Sequence, residues 1–218
     1  MYFGKIGDGV RTIDFLQKNC ILSLLTEQVL SESYPFSCGK DDDMDEFFRE
    51  DAIDYTFYKM GKSYCFRLEA DPKEIVACFT VSNDSLRIYD LPSSRKKAMW
   101  DITNREKMLS RYPGVLIGRL AVSHKFARMG IGSEILDFVK MWFEAPDNKT
   151  ACRFIIVDAK NEPEVLSFYE KNGFSYFFTS ELQEDLYTKP VDSPDEERER
   201  RLHPRKLRTR LMFFDLIA

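Results

Sequence analysis

A short apolar segment, Leu120-Ala121-Val122, is followed after a polar connection by Ala127-Arg128-Met129-Gly130-Ile131-Gly132-Ser133, and then by Ile135, Leu136, Phe138, Val139 and Trp142 at helical spacing. A strand, a polar turn and a Gly-x-Gly opening a helix put free backbone N–H groups and the positive end of a helix dipole at one point, where an anion can bind. Glycine at 130 and 132 lets a phosphate approach the main chain more closely than a Cβ would permit. A packing or turn-forming glycine pair leaves the same trace, so the two glycines alone decide nothing. The run lacks the Gly-Lys-Ser/Thr ending of a nucleotide-hydrolysing phosphate loop. Ile135 stands where the dinucleotide fingerprint needs its third glycine. Nucleotide hydrolysis and nicotinamide chemistry lose most of their support; a pyrophosphate-bearing ligand gripped by backbone remains.

The elements that must position this turn follow from the pattern along the chain. The nearly continuous apolar run 115–122 suits a central strand covered on both faces. The helix after Gly130 should stop before Pro146, and 153–157 reads as another buried strand. A further helix starts at Pro163 and ends at Asn172-Gly173, with Pro in its first turn and Gly just past its end. Upstream, the apolar run 20–31 fits a strand or a short helix, the first strand being the reading preferred, and Asp41-Asp42-Asp43 caps a helix over about 42–60. Residues 63–68 and 74–81 form a hairpin across a Pro72 turn, and the stretch 83–112 is a loop plus one helix within about 94–110. Residues 190–210 form a compositional island, with acids Asp192, Asp195, Glu196, Glu197 and Glu199 among arginines and a lysine from Arg198 to Arg210. It reads as an insertion, and 210–216 as a closing strand.

Composition bounds the rest. The 218 residues are 44% hydrophobic, with 18 Phe and 10 Tyr against 10 Gly and 9 Pro, which excludes a disordered or collagen-like chain. The length suits one large domain, or one with insertions at about 84–112 and 190–209. No run approaches the roughly 18 apolar residues of a membrane span, and the first residues lack a basic segment followed by an apolar one, so a cytoplasmic protein is expected. Cys20, Cys38, Cys65, Cys78 and Cys152 are scattered, without a CxxC pair, and His124 and His203 are the only histidines, so reduced cysteines and no metal site are expected. A net charge of -4 does not advertise a polyanion partner, and any nucleic-acid role needs a local basic patch.

With these motifs the sequence resembles the GCN5-related N-acetyltransferases, closely over about 115–174. In that family a strand ending Leu-Ala-Val leads to Gln/Arg-x-x-Gly-x-Gly/Ala at a helix start, here Leu120-Ala121-Val122 and Ala127 to Gly132. Ala127 takes the leading Gln/Arg position and Arg128 the place of a usual glycine. Asn161, Val165 and Phe168-Tyr169-Glu170-Lys171-Asn172-Gly173-Phe174 look like the family's second motif, with Val165 in place of Ala. The resemblance implies an α/β (α+β) fold with a central mixed, mostly antiparallel sheet flanked by helices. It also implies transfer of an acetyl group from acetyl-CoA to a primary amine by direct attack in a ternary complex. By the same resemblance Leu120, Ala121 and Val122 hold the pantetheine and thioester. Ala127, Arg128, Met129, Gly130, Ile131, Gly132 and Ser133 hold the pyrophosphate, and Asn161 faces the cofactor arm. Tyr169 is then the general acid, a phenol protonated at pH 7; an aromatic packed beside Phe168 and Phe174 is the alternative. No base is named, although Asp101 and Glu106 lie in the unassigned stretch.

A narrower resemblance is to toxin-like acetyltransferases that act on aminoacyl-tRNA and pair with an antitoxin. It is carried by Phe36-x-Cys38-Gly39, by Gly118-Arg119-Leu120-Ala121-Val122 and by Arg210-Leu211-Met212-Phe213-Phe214. Against it stands the acidic balance; Arg95-Lys96-Lys97 and the 198–210 cluster are the candidate basic patches, a salt-bridged surface helix being the other reading of the latter. A non-catalytic CoA- or partner-binding module is the rival from another class. A homodimer through the sheet edge or the Phe-rich last strand fits either reading.

Overall fold

The computed structural model describes residues 14–39, 41–89, 91–103, 109–188 and 193–217. In chain order the elements are α1 (Phe15–Asn19), β1 (Cys20–Leu24), α2 (Glu27–Glu32), α3 (Asp42–Glu46), a π-helical turn (Phe47–Asp51), α4 (Ala52–Phe57), β2 (Lys62–Leu68), β3 (Ile75–Arg87) and α5 (Ser93–Thr103). There follow β4 (Arg111–Val122), a 3₁₀ turn (His124–Phe126), α6 (Ile131–Glu144), β5 (Phe154–Lys160), α7 (Pro163–Lys171), β6 (Ser175–Tyr176), α8 (Glu181–Thr188), α9 (Pro194–Leu202) and β7 (Thr209–Asp215). The strands make a seven-stranded mixed sheet in the order β1-β2-β3-β4-β5-β7-β6, flanked by helices as expected. The chain divides into two compact units, one of residues 1–83 and 116–151 and one of 84–115 and 152–218.

In the first unit the two-residue period of the strands separates two packing faces. Tyr64, Phe66 and Phe79 turn to α6, where Tyr64 meets Trp142 edge-on at 4.9 Å and Phe66 meets Phe138 at 5.2 Å. Cys65 and Cys78, paired across β2 and β3, turn the other way and pack with Phe36, Phe47, Phe48, Ala52 and Ala121. Small thiols opposite large rings fill that side without overpacking.

The expected first strand over 20–31 is a correction: β1 stops at Leu24, because Thr26 caps a new helix, its Oγ1 accepting the Val29 N–H at 3.2 Å. An apolar run does not distinguish a strand from a strand followed by a helix. The 42–60 helix forms as α3, the π-helical turn and α4; it begins where the Asp41 side chain accepts the Met44 N–H and ends before Lys59, at φ 62°. The hairpin's second strand runs on to Arg87. The helix expected within 94–110 is α5, and residues 104–108, Glu106 among them, lie outside the described residues.

In the second unit β4 starts at Arg111, earlier than its apolar run suggested. Pro113 and Gly114 sit inside it: the Pro113 carbonyl accepts the Arg153 N–H at 2.9 Å, and a Cβ on Gly114 would stand 2.6 Å from Ile156 Cδ1. β5 pairs antiparallel with β7 along its whole length, from Phe154 opposite Asp215 to Lys160 opposite Thr209. Tyr112, Phe154, Phe177 and Phe213 form the aromatic centre, with successive ring centroids 5.4–6.2 Å apart.

The 190–210 island folds into α9 and the approach to β7. Ser193 caps α9, Arg201 pairs with Glu197, and Arg200 pairs with Glu196 and with buried Asp185. Asp192 lies outside the described residues. Arg210 turns inward, its Nε 2.7 Å from Glu184 Oε2, while Glu184 Oε1 accepts the Leu211 N–H at 2.6 Å. Removing one partner of a buried pair strands the other's charge. Glu184→Ala should therefore cost about 3–5 kcal/mol in urea unfolding, with Glu184→Gln costing less because it keeps an acceptor for Leu211; a loss under about 1 kcal/mol would mean the pair is solvated.

Candidate active site

Within the first unit, β4 delivers the chain to the Gly-x-Gly turn. Ala121 is buried in the Phe36/Phe47/Phe48 cluster, while Leu120 and Val122 are half-buried. The strand's exit is pinned: the buried Ser123 donates its N–H to Val76 O at 2.9 Å, and His124 directs both its N–H and its Nδ1 at Ser37 O, 2.9 and 3.0 Å away. The chain then comes to the surface, with Ala127, Arg128, Met129 and Gly130 all exposed.

Two residues of this turn are left-handed, Arg128 at φ 63° and Gly130 at φ 81°. Gly130 is the residue from which α6 starts, its carbonyl accepting the N–H of Ser133 at 3.0 Å and of Glu134 at 3.2 Å. The first of these bonds takes up the Ser133 N–H, so the first-turn donors without an intrahelical acceptor are those of Ile131 and Gly132. Nothing lies within 4 Å of the point where a Cβ on Gly130 would stand, so the space beside that residue is open. Ile131 is buried and anchors the helix beneath; Gly132 and Ser133 are half-buried. The arrangement is a cradle shaped for the oxygens of an anion, and Arg128 adds a cation at its rim.

The second unit holds the other predicted residues. Asn161 follows β5 and is engaged in the fold: its N–H donates to Arg208 O and its Nδ2 to Leu207 O, each at 2.9 Å. Tyr169 lies on α7, half-buried, its ring edge-on to Phe168 at 5.1 Å and to Phe174 at 5.3 Å. Burial pushes its phenol up to about 12, so both the packing role and a protonated hydroxyl are present. Asp101 is exposed on α5.

Asp158 was missed. Its side chain reaches solvent, yet the carboxyl stands among protein atoms, and this desolvation, followed by the neighbouring Asp84 charge, raises it above the usual carboxylate range. The signal was a lone carboxylate closing the apolar run 154–157. None of the five cysteines is in a disulfide among the described residues; burial pushes Cys20 and Cys65 up to about 12 and Cys152 to about 11. Among the described residues no group of His, Cys, Asp and Glu is placed to hold a metal ion, and no helix is long and apolar enough to cross a membrane.

Residues 62–176, more than half the chain, match the acetyltransferase (GNAT) domain family. The chain belongs to the GNAT acetyltransferases. It is an acetyl-CoA-dependent acetyltransferase by that membership. Its fold resembles a tyrosine-to-phenylalanine mutant of KacT, with 14% identity, TM-score 0.62 and coverage of 92% of this chain and 96% of that one. AtaT complexed with acetyl-methionyl-tRNAfMet is similar at 15% identity, TM-score 0.59 and 90% and 94% coverage. AtaTR bound with AcCoA gives 15% identity, TM-score 0.60 and 91% and 95% coverage. At these identities the likeness is one of fold. No curated protein matches the chain in sequence.

Arg128 occupies a glycine's conformation, which costs an L-residue about 1 kcal/mol. Arg128→Gly should leave the protein as stable or more stable in thermal melts while weakening acetyl-CoA binding through loss of the rim cation; undiminished affinity in calorimetry would show that backbone alone holds the anion.

Proposed function

We propose that the protein moves the acetyl group of acetyl-CoA to a primary amine by direct attack within a ternary complex, as a single acetyltransferase domain carrying inserted segments at about 84–112 and 190–209. The observation that carries this reading is the left-handed, open turn of residues 127–130 leading into α6. The donor brings an activated acetyl thioester. Backbone and side chains of Ala127 to Ser133 hold its pyrophosphate, Leu120 to Val122 its pantetheine, and Asn161 borders its arm while tying down the 207–208 segment.

Tyr169 Oη keeps its proton at neutral pH. A phenol near 12 is a weaker acid than a free thiol of about 8.5, so it serves chiefly as a hydrogen-bond donor to the departing sulfur. The incoming amine must be neutral to attack. An α-amine, with a reference pKa of about 7.7–8.0, loses its proton far more readily than a Lys amine of about 10.4.

We propose as a second reading acetylation of the amino group of an aminoacyl-tRNA, with an antitoxin-type partner and a homodimeric assembly; the fold likeness to AtaT complexed with acetyl-methionyl-tRNAfMet supports the tRNA part of it. Arg205, Lys206 and Arg208 are exposed for such a partner. Arg200 and Arg210 are taken up in buried pairs, and Arg95 donates to Tyr176 O and Phe177 O, so both expected basic patches are smaller than the sequence suggested.

Acetyl-CoA and CoA should each raise the melting temperature at 100 times Kd, by an amount equivalent to about 2.7 kcal/mol, and a nucleotide lacking the pantetheine arm should do less; equal shifts would overturn the pantetheine assignment. Tyr169→Phe should cut turnover by about 100-fold at unchanged acetyl-CoA affinity, and equal turnover would remove Tyr169 from the mechanism. Because Tyr169 holds its proton up to about 12, kcat/KM should show no alkaline fall below about pH 10. Its rise with pH should level near 8 for an α-amine acceptor and continue towards 10 for a lysine. Charged tRNA binding that is absent, or insensitive to salt, would exclude the second reading.

A further inference from the structure

We infer that Glu134 is a positioning residue for the anion cradle and that it acts by clamping the N-terminal helix α1 across it; this rests on the reading of residues 127–133 as the site of the donor's pyrophosphate. Glu134 stands in the first turn of α6, four residues after Gly130, where a carboxylate by itself opposes a bound anion. Its oxygens are both occupied. Oε1 accepts the Phe15 N–H at 3.2 Å and Oε2 the Leu16 N–H at 2.9 Å.

Those donors are the first two residues of α1, whose own preceding residue, Asp14, makes no capping bond with its side chain. Glu134 therefore caps α1 from a distant element, and the buried Leu16 seats the helix. The Phe15 ring also meets Phe126, centroids 6.0 Å apart, and Phe126 is the residue directly before Ala127. So α1 touches the residue entering the turn and the first helical turn leaving it. Between these two holds lie the two left-handed residues, one of them an arginine, a conformation that persists only where the surroundings enforce it. The two bonds also engage the carboxylate with backbone donors, which draws its charge towards α1.

Brace and bare charge predict opposite signs. Calorimetric titration of acetyl-CoA into Glu134→Ala should show Kd raised about 10-fold over the wild type if the clamp orders the cradle. A carboxylate acting only by its charge would make the same variant bind more tightly. Glu134→Gln should recover part of the loss, since its single amide oxygen can keep one of the two bonds. Phe15→Leu, a milder change at a half-buried ring, should weaken binding in the same direction. The double variant Phe15→Leu/Glu134→Ala should lose little more than Glu134→Ala alone, because both act through α1. Amide exchange over residues 127–133 should quicken in step with Kd. Tighter binding by Glu134→Ala, or wild-type affinity in both single variants, overturns the proposal while leaving the cradle in place. A wild type that does not bind acetyl-CoA removes the cradle reading and the proposal together.

Discussion

Main chain can grip an anion only where its N–H groups have no protein acceptor and no side chain fills the space above them. Helix starts supply the donors cheaply, but the approach must then bend so that the turn stays clear of its own helix. Here that bend is bought with two left-handed residues, and only one of them is glycine. The first unit is arranged around keeping this turn in place. Ser123 is held to Val76 and His124 to Ser37 on the way in, and Ile131 is sunk into the core on the way out. The exposed stretch between these holds is four residues long, 127–130, too short to relax without moving a buried neighbour.

The helix that presents the cradle owes its position to the ring cluster beneath it. Phe138 and Trp142, one turn apart on α6, fit against Tyr64, Phe66 and Phe79 by edge-on contacts, the geometry that ring quadrupoles favour. The other face of the same strands uses cysteines and Ala121 to admit the rings of Phe47 and Phe48. Phe47 also carries the Arg119 guanidinium 5.0 Å over its ring, with Asp43 3.4 Å from the same group. The π-helical turn, which adds a residue to the helix there, is therefore fixed by packing on both sides, as such turns require.

The second unit solves a different problem. Its helices α8 and α9 carry few apolar residues, and they are joined to the unit by charges drawn inside: Glu184 with Arg210, Asp185 with Arg200, and, at the start of β5, Arg153 with Asp215 at 2.6 Å. The Asp185–Arg200 contact, at 3.5 Å and with no hydrogen bond to either Asp185 oxygen, is the loosest of the three. Buried pairs of this kind add little net stability against an apolar core, but losing either partner is costly, so they fix which surfaces meet. They also change the electrostatic meaning of the island 190–210: arginines that look like a patch for a polyanion are partly structural.

The amino-acid order alone determined the parts whose signal is local. The Leu120–Val122 strand, the Gly-x-Gly helix start, the Pro163 and Gly173 limits of α7 and the β7 strand are all legible, because period, caps and glycines act within a few residues. The motif spacing was also enough for the family, since both halves of the pattern stand in the right order. Tertiary structure alone decided the rest. It split 20–31 into β1 and α2, because the chain leaves the edge of β2 after Leu25 and Thr26 caps a helix there. It placed Arg128 in a glycine's conformation, turned Arg200 and Arg210 inward, and brought Glu134 to the N–H groups of Phe15 and Leu16, more than a hundred residues away in the chain. Such choices belong to contacts between distant segments, whose free energy exists only once those segments have met.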